Sequence, residues 1–432
     1  MIEIIRKQDC VGCGACSQKC PVNCISLSVD EQGFLYPAVD KEKCIDCGLC
    51  DRVCPVINQS DENKPLAVFA SYNADDNVRE VSSSGGVFYE IASKVIDGGG
   101  IVFGAKFDAD WSVVHGYSDK SEGIKEFQGS KYVQSRIGTA YRDVEEFLKS
   151  GRVVLFSGTP CQIAGLKLFL RKDWGTQLIT IDIVCHGVPS PLVWKEYLKT
   201  IERPKGAEFG KNTVLSSLNK MPVITGIMFR DKRLGWEKYG FSVRGAATGG
   251  SGKNSVSRPI CNSEITEDTE LLFEPMYENL YMQGFLKDIY LRPSCYECPA
   301  KSCKSGADIT LGDYWGIQNC HPELYDAKGV SLVMANTDNG LALLSRCRLK
   351  VYQTSYEDAL NGNSALVKSV GCPLQSAEFW RKFQSRGMSC LPGILVKMST
   401  TPYGRLKFSI KRVIRKIIGE AGVRYIKRVY RR

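Results

Sequence analysis

Eight cysteines in a duplicated pattern constrain this chain more than any other feature of its sequence. Cys10-x2-Cys13-x2-Cys16-x3-Cys20-Pro21 returns as Cys44-x2-Cys47-x2-Cys50-x3-Cys54-Pro55. Three cysteines two residues apart on a tight loop converge on three irons of one cubane. The fourth, at the start of a short helix, points away and ligates the other cluster. The spacing therefore assigns Cys10, Cys13, Cys16 and Cys54 to one [4Fe–4S] cluster and Cys44, Cys47, Cys50 and Cys20 to a second. Zinc also binds Cys-x2-Cys pairs, but its ligands come in fours, and a duplicated run of four closed by proline fits two iron–sulfur clusters. Gly12, Gly14 and Gly48 suit crowded loops, and residues 25–39, broken at 30–33, supply an antiparallel strand pair. Cys24 stands outside the pattern and reads as a packed thiol. Two clusters in one small fold form an electron wire.

The remaining composition fits that reading. Nine of the 19 cysteines precede Asn58, and no apolar run reaches the ~18 residues of a membrane span. Residues 1–7 lack the apolar stretch of a signal peptide, so a reducing, cytoplasmic setting is expected, where metal or redox chemistry explains cysteines better than disulfides do. With 43% hydrophobic and 24% charged residues, 432 positions suffice for two or three globular domains. The net charge of +10 is local. Residues 405–432 carry eleven bases and one acid, which leaves the rest of the chain neutral.

A polar stretch at 58–65 reads as a linker, so the first domain is placed at residues 1–58. Beyond it, strand-like runs at 68–70, 101–103, 153–156 and 178–184 alternate with helix-like segments at 87–96, 141–149, 162–171 and 192–201. Such alternation predicts a parallel or mixed sheet with helices on its faces. Residues 224–230 and 239–244 read as an inserted hairpin, and 246–257 as a mobile loop rich in Gly, Ser and Thr.

Four segments of this region carry chemistry. Residues 82–88 (Ser-Ser-Ser-Gly-Gly-Val-Phe) open a helix, an arrangement that offers backbone N–H groups to a cofactor phosphate. Residues 157–162 (Ser-Gly-Thr-Pro-Cys-Gln) and the turn around Cys185-His186-Gly187 each follow a strand, at the sheet edge where open α/β folds bind ligands. Cys295-x2-Cys298-x4-Cys303, followed by Gly312-Asp313-Tyr314-Trp315-Gly316, offers three thiolates within nine residues. A fourth comes from Cys185 or Cys161. A third [4Fe–4S] cluster or a zinc ion would fit this set. Cys261, Cys320, Cys347, Cys372 and Cys390 are isolated and read as small buried hydrophobes. His115 has no motif around it, His321 starts a turn, and His186 is either an ordered turn residue or a proton donor.

Taken in order, the dicluster module, 83–88, Gly-Ser-Lys-Tyr-Val-Gln-Ser at 129–135, Gly-Thr-Pro-Cys-Gln at 158–162, Cys-His-Gly-Val-Pro-Ser-Pro at 185–191 and the Cys295 to Gly316 region resemble the coenzyme F420 hydrogenase/dehydrogenase beta-subunit family. The resemblance covers roughly residues 1–335. It implies a flavoprotein that binds FAD beside a [4Fe–4S] cluster and exchanges hydride with an F420-like or other organic substrate. It makes Ser83, Gly85, Gly86, Lys131, Gln134, Thr159, Gln162 and Asp313 flavin or substrate contacts. Lys131 is placed at a flavin carbonyl or phosphate oxygen, and Cys185, Cys295, Cys298 and Cys303 become the third cluster's ligands.

The fold expected is α+β / α/β: a ferredoxin-like dicluster domain (1–58), a mixed-sheet flavin-binding domain (64–395) and a basic amphipathic helical tail (396–432). In that tail Leu406, Ile410, Val413, Ile414, Ile417 and Ile418 recur at helical spacing among Lys and Arg, which suits an anionic membrane surface. The function expected is an iron–sulfur flavoprotein oxidoreductase. A ferredoxin-like partner would donate electrons, which leave near Lys131 and His186 to a small-molecule substrate; nucleic acid has no motif here. The location expected is cytoplasmic, with peripheral contact at the inner membrane face. The alternative is a non-catalytic electron-transfer subunit of a larger redox complex.

Overall fold

The computed structural model describes residues 1–202, 223–246 and 268–398. Cys261, the loop beyond Ala246 and the basic tail from residue 399 lie outside the described residues. Thirteen strands are found among the described residues: β1 (Ile25–Val29), β2 (Leu35–Val39), β3 (Ala67–Asn73), β4 (Ile101–Phe107), β5 (Val113–Ser118), β6 (Val154–Gly158), β7 (Leu178–Ile183), β8 (Val223–Asp231), β9 (Gly240–Ala246), β10 (Asp268–Pro275), β11 (Ile309–Asp313), β12 (Ser331–Ala335) and β13 (Leu349–Thr354). They fall into two compact units.

The first unit comprises Met1–Pro191, Lys232–Lys238 and Leu291–Gly371. Its frame is an eight-stranded mixed sheet of order β13-β3-β12-β11-β7-β6-β4-β5. The middle run β11, β7, β6 and β4 is parallel, and both flanks are antiparallel. Val154, Leu155 and Phe156 of β6 are fully buried, as a strand covered on both faces by helices requires. The helices Val87–Asp97, Ala140–Lys149 and Pro160–Leu170 fall where the apolar periodicity places them. Strands β11, β12 and β13 lie beyond the run of strand–helix alternation, where the sequence signal fades.

The dicluster module shares this unit's core. Val11, Cys13, Ala15 and Val53 pack in one cluster with Ile101, Tyr141, Phe156 and Ile163. Gln18, itself buried, uses its Oε1 to accept the N–H groups of Tyr141 (3.1 Å) and Arg142 (3.3 Å). Those are donors in the first turn of the Ala140–Lys149 helix, which has no intrahelical partner for them. Arg142 returns the contact, donating through Nε to Gln18 O at 2.7 Å. The strand pair β1–β2 is antiparallel, with Ile25 opposite Val39.

The second unit comprises Leu192–Asp231, Tyr239–Tyr290 and the chain from Cys372. It holds the antiparallel sheet β10-β9-β8, which includes the expected hairpin, with helices Leu280–Leu286, Leu374–Arg386 and Leu391–Lys397. Trp194, Phe229, Phe241 and Tyr281 form its aromatic core, with Trp194 and Phe229 centroids 4.9 Å apart. Asn279 caps the Leu280 helix by accepting from Met282 N and donates to Tyr197 Oη at 2.6 Å.

Candidate functional site

The N-terminal thiols fall into two groups. Short helices Ala15–Lys19 and Leu49–Arg52 each begin after a left-handed glycine, Gly14 and Gly48, so the repeat seen in sequence is also a repeat of backbone geometry. Cys13 is surrounded by Cys16, Cys10 and Cys54; burial and then the neighbouring thiols push it well up. Cys16, near Cys10 and Cys54, is pushed up to about 12 for the same reasons. Cys20, Cys44, Cys47 and Cys50 line a separate small cavity, with Cys24 also on its wall. Ile2 N–H donates to Cys50 Sγ at 3.2 Å, and Cys24 N–H to Cys20 Sγ at 3.3 Å. Thiols as reluctant to ionise as those of Cys13 and Cys16 need a strong local positive charge to become thiolates, and iron would supply it. The donor set, the N–H groups aimed at sulfur and the two groupings fit a pair of iron–sulfur clusters.

A third thiol group stands at the carboxyl edge of the large sheet. β6 and β7 are parallel neighbours with Gly158 opposite Asp182, so the turns that follow them lie side by side. The start of the Pro160–Leu170 helix after β6 delivers Cys161, and the segment after β7 delivers Cys185, to one cavity, to which the Pro293–Glu297 turn and the residue after it bring Cys295 and Cys298. The two candidates for a fourth ligand thus arrive together. Cys161 is pushed up to about 12 by burial, with Cys298 and Cys295 adding to it. Cys185 is driven well up by burial, against the pull of Lys301, with Cys295, Cys161 and Cys298 nearby. Burial raises Cys295 to about 11.

Cys303 lines the same cavity. Burial and the charge of Asp182 raise it to about 11, no other thiol contributes to that rise, and its Sγ is 4.0 Å from Asn336 Oδ1. Lys301 Nζ donates to Cys185 O and Ala365 O, both at 2.7 Å. Val188 N–H donates to Cys295 Sγ at 3.4 Å. Asp182, buried on the cavity wall, accepts from Ser305 Oγ at 2.5 Å and is raised by burial to about 6. His186 lines the cavity too.

The other site candidates divide by what they touch. Ser83 Oγ accepts from Ser130 N–H at 2.6 Å, which ties the 82–86 turn to the loop that carries Lys131. Gly86 begins the Val87–Asp97 helix. Gly85 is a packing glycine: a Cβ there would lie 2.6 Å from Ser71 O. Lys131 Nζ donates to Gln128 O (3.0 Å) and Gly129 O (3.3 Å), and desolvation by surrounding protein lowers it to about 7. Gln134 donates to Val11 O at 3.1 Å and accepts from Arg292 Nη1 at 3.0 Å. Thr159 N–H donates to Gln162 Oε1 (2.9 Å), and Gln162 Nε2 donates to Ser135 Oγ (3.0 Å). Asp313 accepts from Trp236 Nε1 at 2.6 Å.

Two residues gain weight that their sequence context withheld. His115, on β5, is buried with Nε2 3.0 Å from Ser157 O, while its Nδ1 has no hydrogen-bond partner among the described residues. Burial lowers it to about 4, with the nearby Lys131 charge acting in the same direction. A lone strand histidine carries no motif, so nothing in the sequence pointed to it. Arg292 is the other, buried beside Cys10. Separately, Cys320, His321 and Asp358 offer ligand atoms within 4.8 Å of one another; the Cys320 thiol donates to Gly316 O, and His321 pairs with Asp358 at 3.2 Å.

Residues 9–58 match the model of the 4Fe-4S dicluster domain. Residues 151–357 match that of the C terminus of the coenzyme F420 hydrogenase/dehydrogenase beta subunit. No curated protein matches the chain. A chain of the xenon-derivatised F420-reducing [NiFe] hydrogenase complex from Methanosarcina barkeri is similar at 16% identity and a TM-score of 0.41, over 79% of this chain and 98% of that one. Among the described residues no helix is long and apolar enough to cross a membrane. Residues 151–357 thus carry the C-terminal part of the coenzyme F420 hydrogenase/dehydrogenase beta subunit, behind a 4Fe-4S dicluster domain at residues 9–58.

Proposed function

We propose that this iron–sulfur protein is an oxidoreductase that takes electrons from a ferredoxin-like partner and delivers them to an F420-like or other small organic substrate. The observation that carries the reading is the convergence of Cys161, Cys185, Cys295 and Cys298 on one cavity in the same compact unit as the dicluster module. We assign these four thiols to a third [4Fe–4S] cluster, with Cys303 turned toward Asp182 and Asn336. Bound, the three clusters would relay single electrons, and an FAD would convert them to hydride exchange.

The chain's own residues prepare that chemistry in stated ways. Lys301 holds its ammonium at Cys185 O, where it offsets negative charge on the thiolates. Lys131, with a proton it gives up near neutrality, can donate to a flavin carbonyl or phosphate oxygen. The free Nδ1 of His115 can accept one hydrogen bond from a ligand on the same edge, and His186 stands at the cavity wall as proton donor. Ser83, Gly85 and Gly86 shape the turn that faces the Lys131 loop. The domain limits 1–58, 64–395 and 396–432, a cytoplasmic location and contact of the basic tail with an anionic membrane surface belong to the same reading.

A second reading draws support from the engaged side chains. Gln134, Thr159, Gln162 and Asp313 all spend their polar atoms inside the fold, which suits an electron-transfer subunit whose active site lies on a partner. Iron, acid-labile sulfide and flavin assays on anaerobically purified protein separate the two. About twelve irons and one FAD per chain are expected, and about twelve irons without flavin would favour the second reading.

A further inference from the structure

Arg292 is fully buried, and among the described residues no carboxylate pairs with it. Its guanidinium donates through Nε to Cys10 O at 2.8 Å, through Nη2 to Leu35 O at 2.9 Å and to Cys10 Sγ at 3.4 Å, and through Nη1 to Gln134 Oε1 at 3.0 Å. The Tyr36 ring, 4.4 Å from the guanidinium carbon, and the Phe34 ring, 5.4 Å away, flank it. Gln134 completes the frame by donating to Val11 O. The loop leaves no spare room around this group. A Cβ on Gly12, whose φ is +71°, would lie 2.7 Å from Arg292 Nη1 and 2.8 Å from Gln134 Nε2.

A buried guanidinium without a counter-ion is costly, and neutral thiols do not offset it. Thiolates bound to iron would. The same charge also acts on Cys161 and Cys295, where it opposes the rise caused by burial. Arg292 O accepts from Cys295 N at 2.8 Å, so one residue touches a ligand of the first cluster and anchors a thiol of the third group.

We propose that Arg292 is the positioning residue that sets the reduction potential of the cluster held by Cys10, Cys13, Cys16 and Cys54 and fixes that cluster toward the cavity of Cys161, Cys185 and Cys295. A cation and an N–H donor at a cluster sulfur favour the state that has taken one more electron, so they raise the potential. At the other dicluster site, held by Cys20, Cys44, Cys47 and Cys50, the backbone N–H groups of Ile2 and Cys24 donate to sulfur, and among the described residues no Arg or Lys side chain does. It is therefore an internal reference. The inference rests on the dicluster domain and stands whether or not flavin binds.

The test is an EPR-monitored redox titration of the full chain with Arg292→Gln and Arg292→Lys, alongside iron and sulfide counts. Arg292→Gln should keep its iron and make the first cluster at least tenfold harder to reduce, about 59 mV for a one-electron couple, while the second holds its potential. Arg292→Lys should shift the first cluster less. Unchanged potentials at full iron content, or equal shifts in both clusters, overturn the proposal. If Arg292→Gln sheds iron, Arg292→Lys decides: selective weakening or loss of the first cluster supports the assignment, and equal loss of both overturns it.

Discussion

The dicluster module and the sheet-edge cavity collect thiols by opposite routes. In the module, eight cysteines lie within 45 residues, and two short helices after left-handed glycines bring them together. At the sheet edge, Cys161 opens the helix after β6, Cys185 follows the adjacent parallel strand β7, and Cys295 and Cys298 come from a turn more than a hundred residues later. The first site is encoded by local spacing. The second exists only after the sheet has formed, because strand order decides which turns are neighbours.

The largest effect expected from this contrast concerns which thiols hold iron. Cys161→Ser should remove about four of twelve irons from anaerobically purified protein, since it takes one ligand from the third set, while Cys303→Ser should leave the count unchanged. Iron and sulfide analysis of the two variants checks this. A loss in Cys303→Ser with none in Cys161→Ser would reverse the assignment, and would return the third cluster to the contiguous Cys295-x2-Cys298-x4-Cys303 motif.

Those thiols also show how far the sequence can be read. The repeat marked a dicluster domain, which the match over residues 9–58 supports, because its cysteines lie at fixed short spacings that do not depend on the rest of the fold. The helices at 87–97 and 160–170 were legible from apolar periodicity, and the hairpin of β8 and β9 from its flanking strands. What could not be read depends on strand order. Nothing local says that the turns after β6 and β7 adjoin, so Cys161 and Cys185 stood as alternatives when the fold brings both. Gln134, Thr159, Gln162 and Asp313 were legible as polar residues in loaded segments. Their partners, Arg292, Ser135 and Trp236 among them, are reached only through tertiary packing.

A smaller effect tests the assembled edge through its buried histidine. His115 sits at about 4 in the fold, below its ordinary 6.5, because burial disfavours the imidazolium. Between those values the unfolded chain holds a proton that the native state lacks, so unfolding becomes easier as pH falls from about 6.5 toward 4. The full window is worth about 3 kcal/mol. His115→Phe keeps a flat ring against Phe156 and removes the titration. Urea unfolding between pH 5.0 and 6.5, followed by circular dichroism, should show a shallower fall in the variant than in the parent. Parallel curves would mean that His115 titrates in the fold as it does in the unfolded chain, so that its burial does not hold it neutral.

A last effect bears on a residue whose motif suggested a cofactor contact and whose packing gives it a structural partner. Asp313 accepts from Trp236 Nε1 at 2.6 Å, and the Trp236 ring stacks on Trp315 with centroids 4.9 Å apart and planes 6° from parallel. Trp236 is also in the core with Tyr314, Ile317 and Leu332. Trp236→Phe keeps an aromatic ring but loses the N–H donor. A lost hydrogen bond to a charged acceptor costs about 1.5–3 kcal/mol, and the smaller ring adds a packing term of about 1 kcal/mol. A drop of that size in unfolding free energy, with iron and flavin content unchanged, would place Asp313 among the residues that hold the fold. Loss of flavin in Trp236→Phe, with stability preserved, would instead make Asp313 part of the cofactor edge, so that loaded motifs after β11 would carry chemistry as directly as the spacing of Cys10 to Cys54 does.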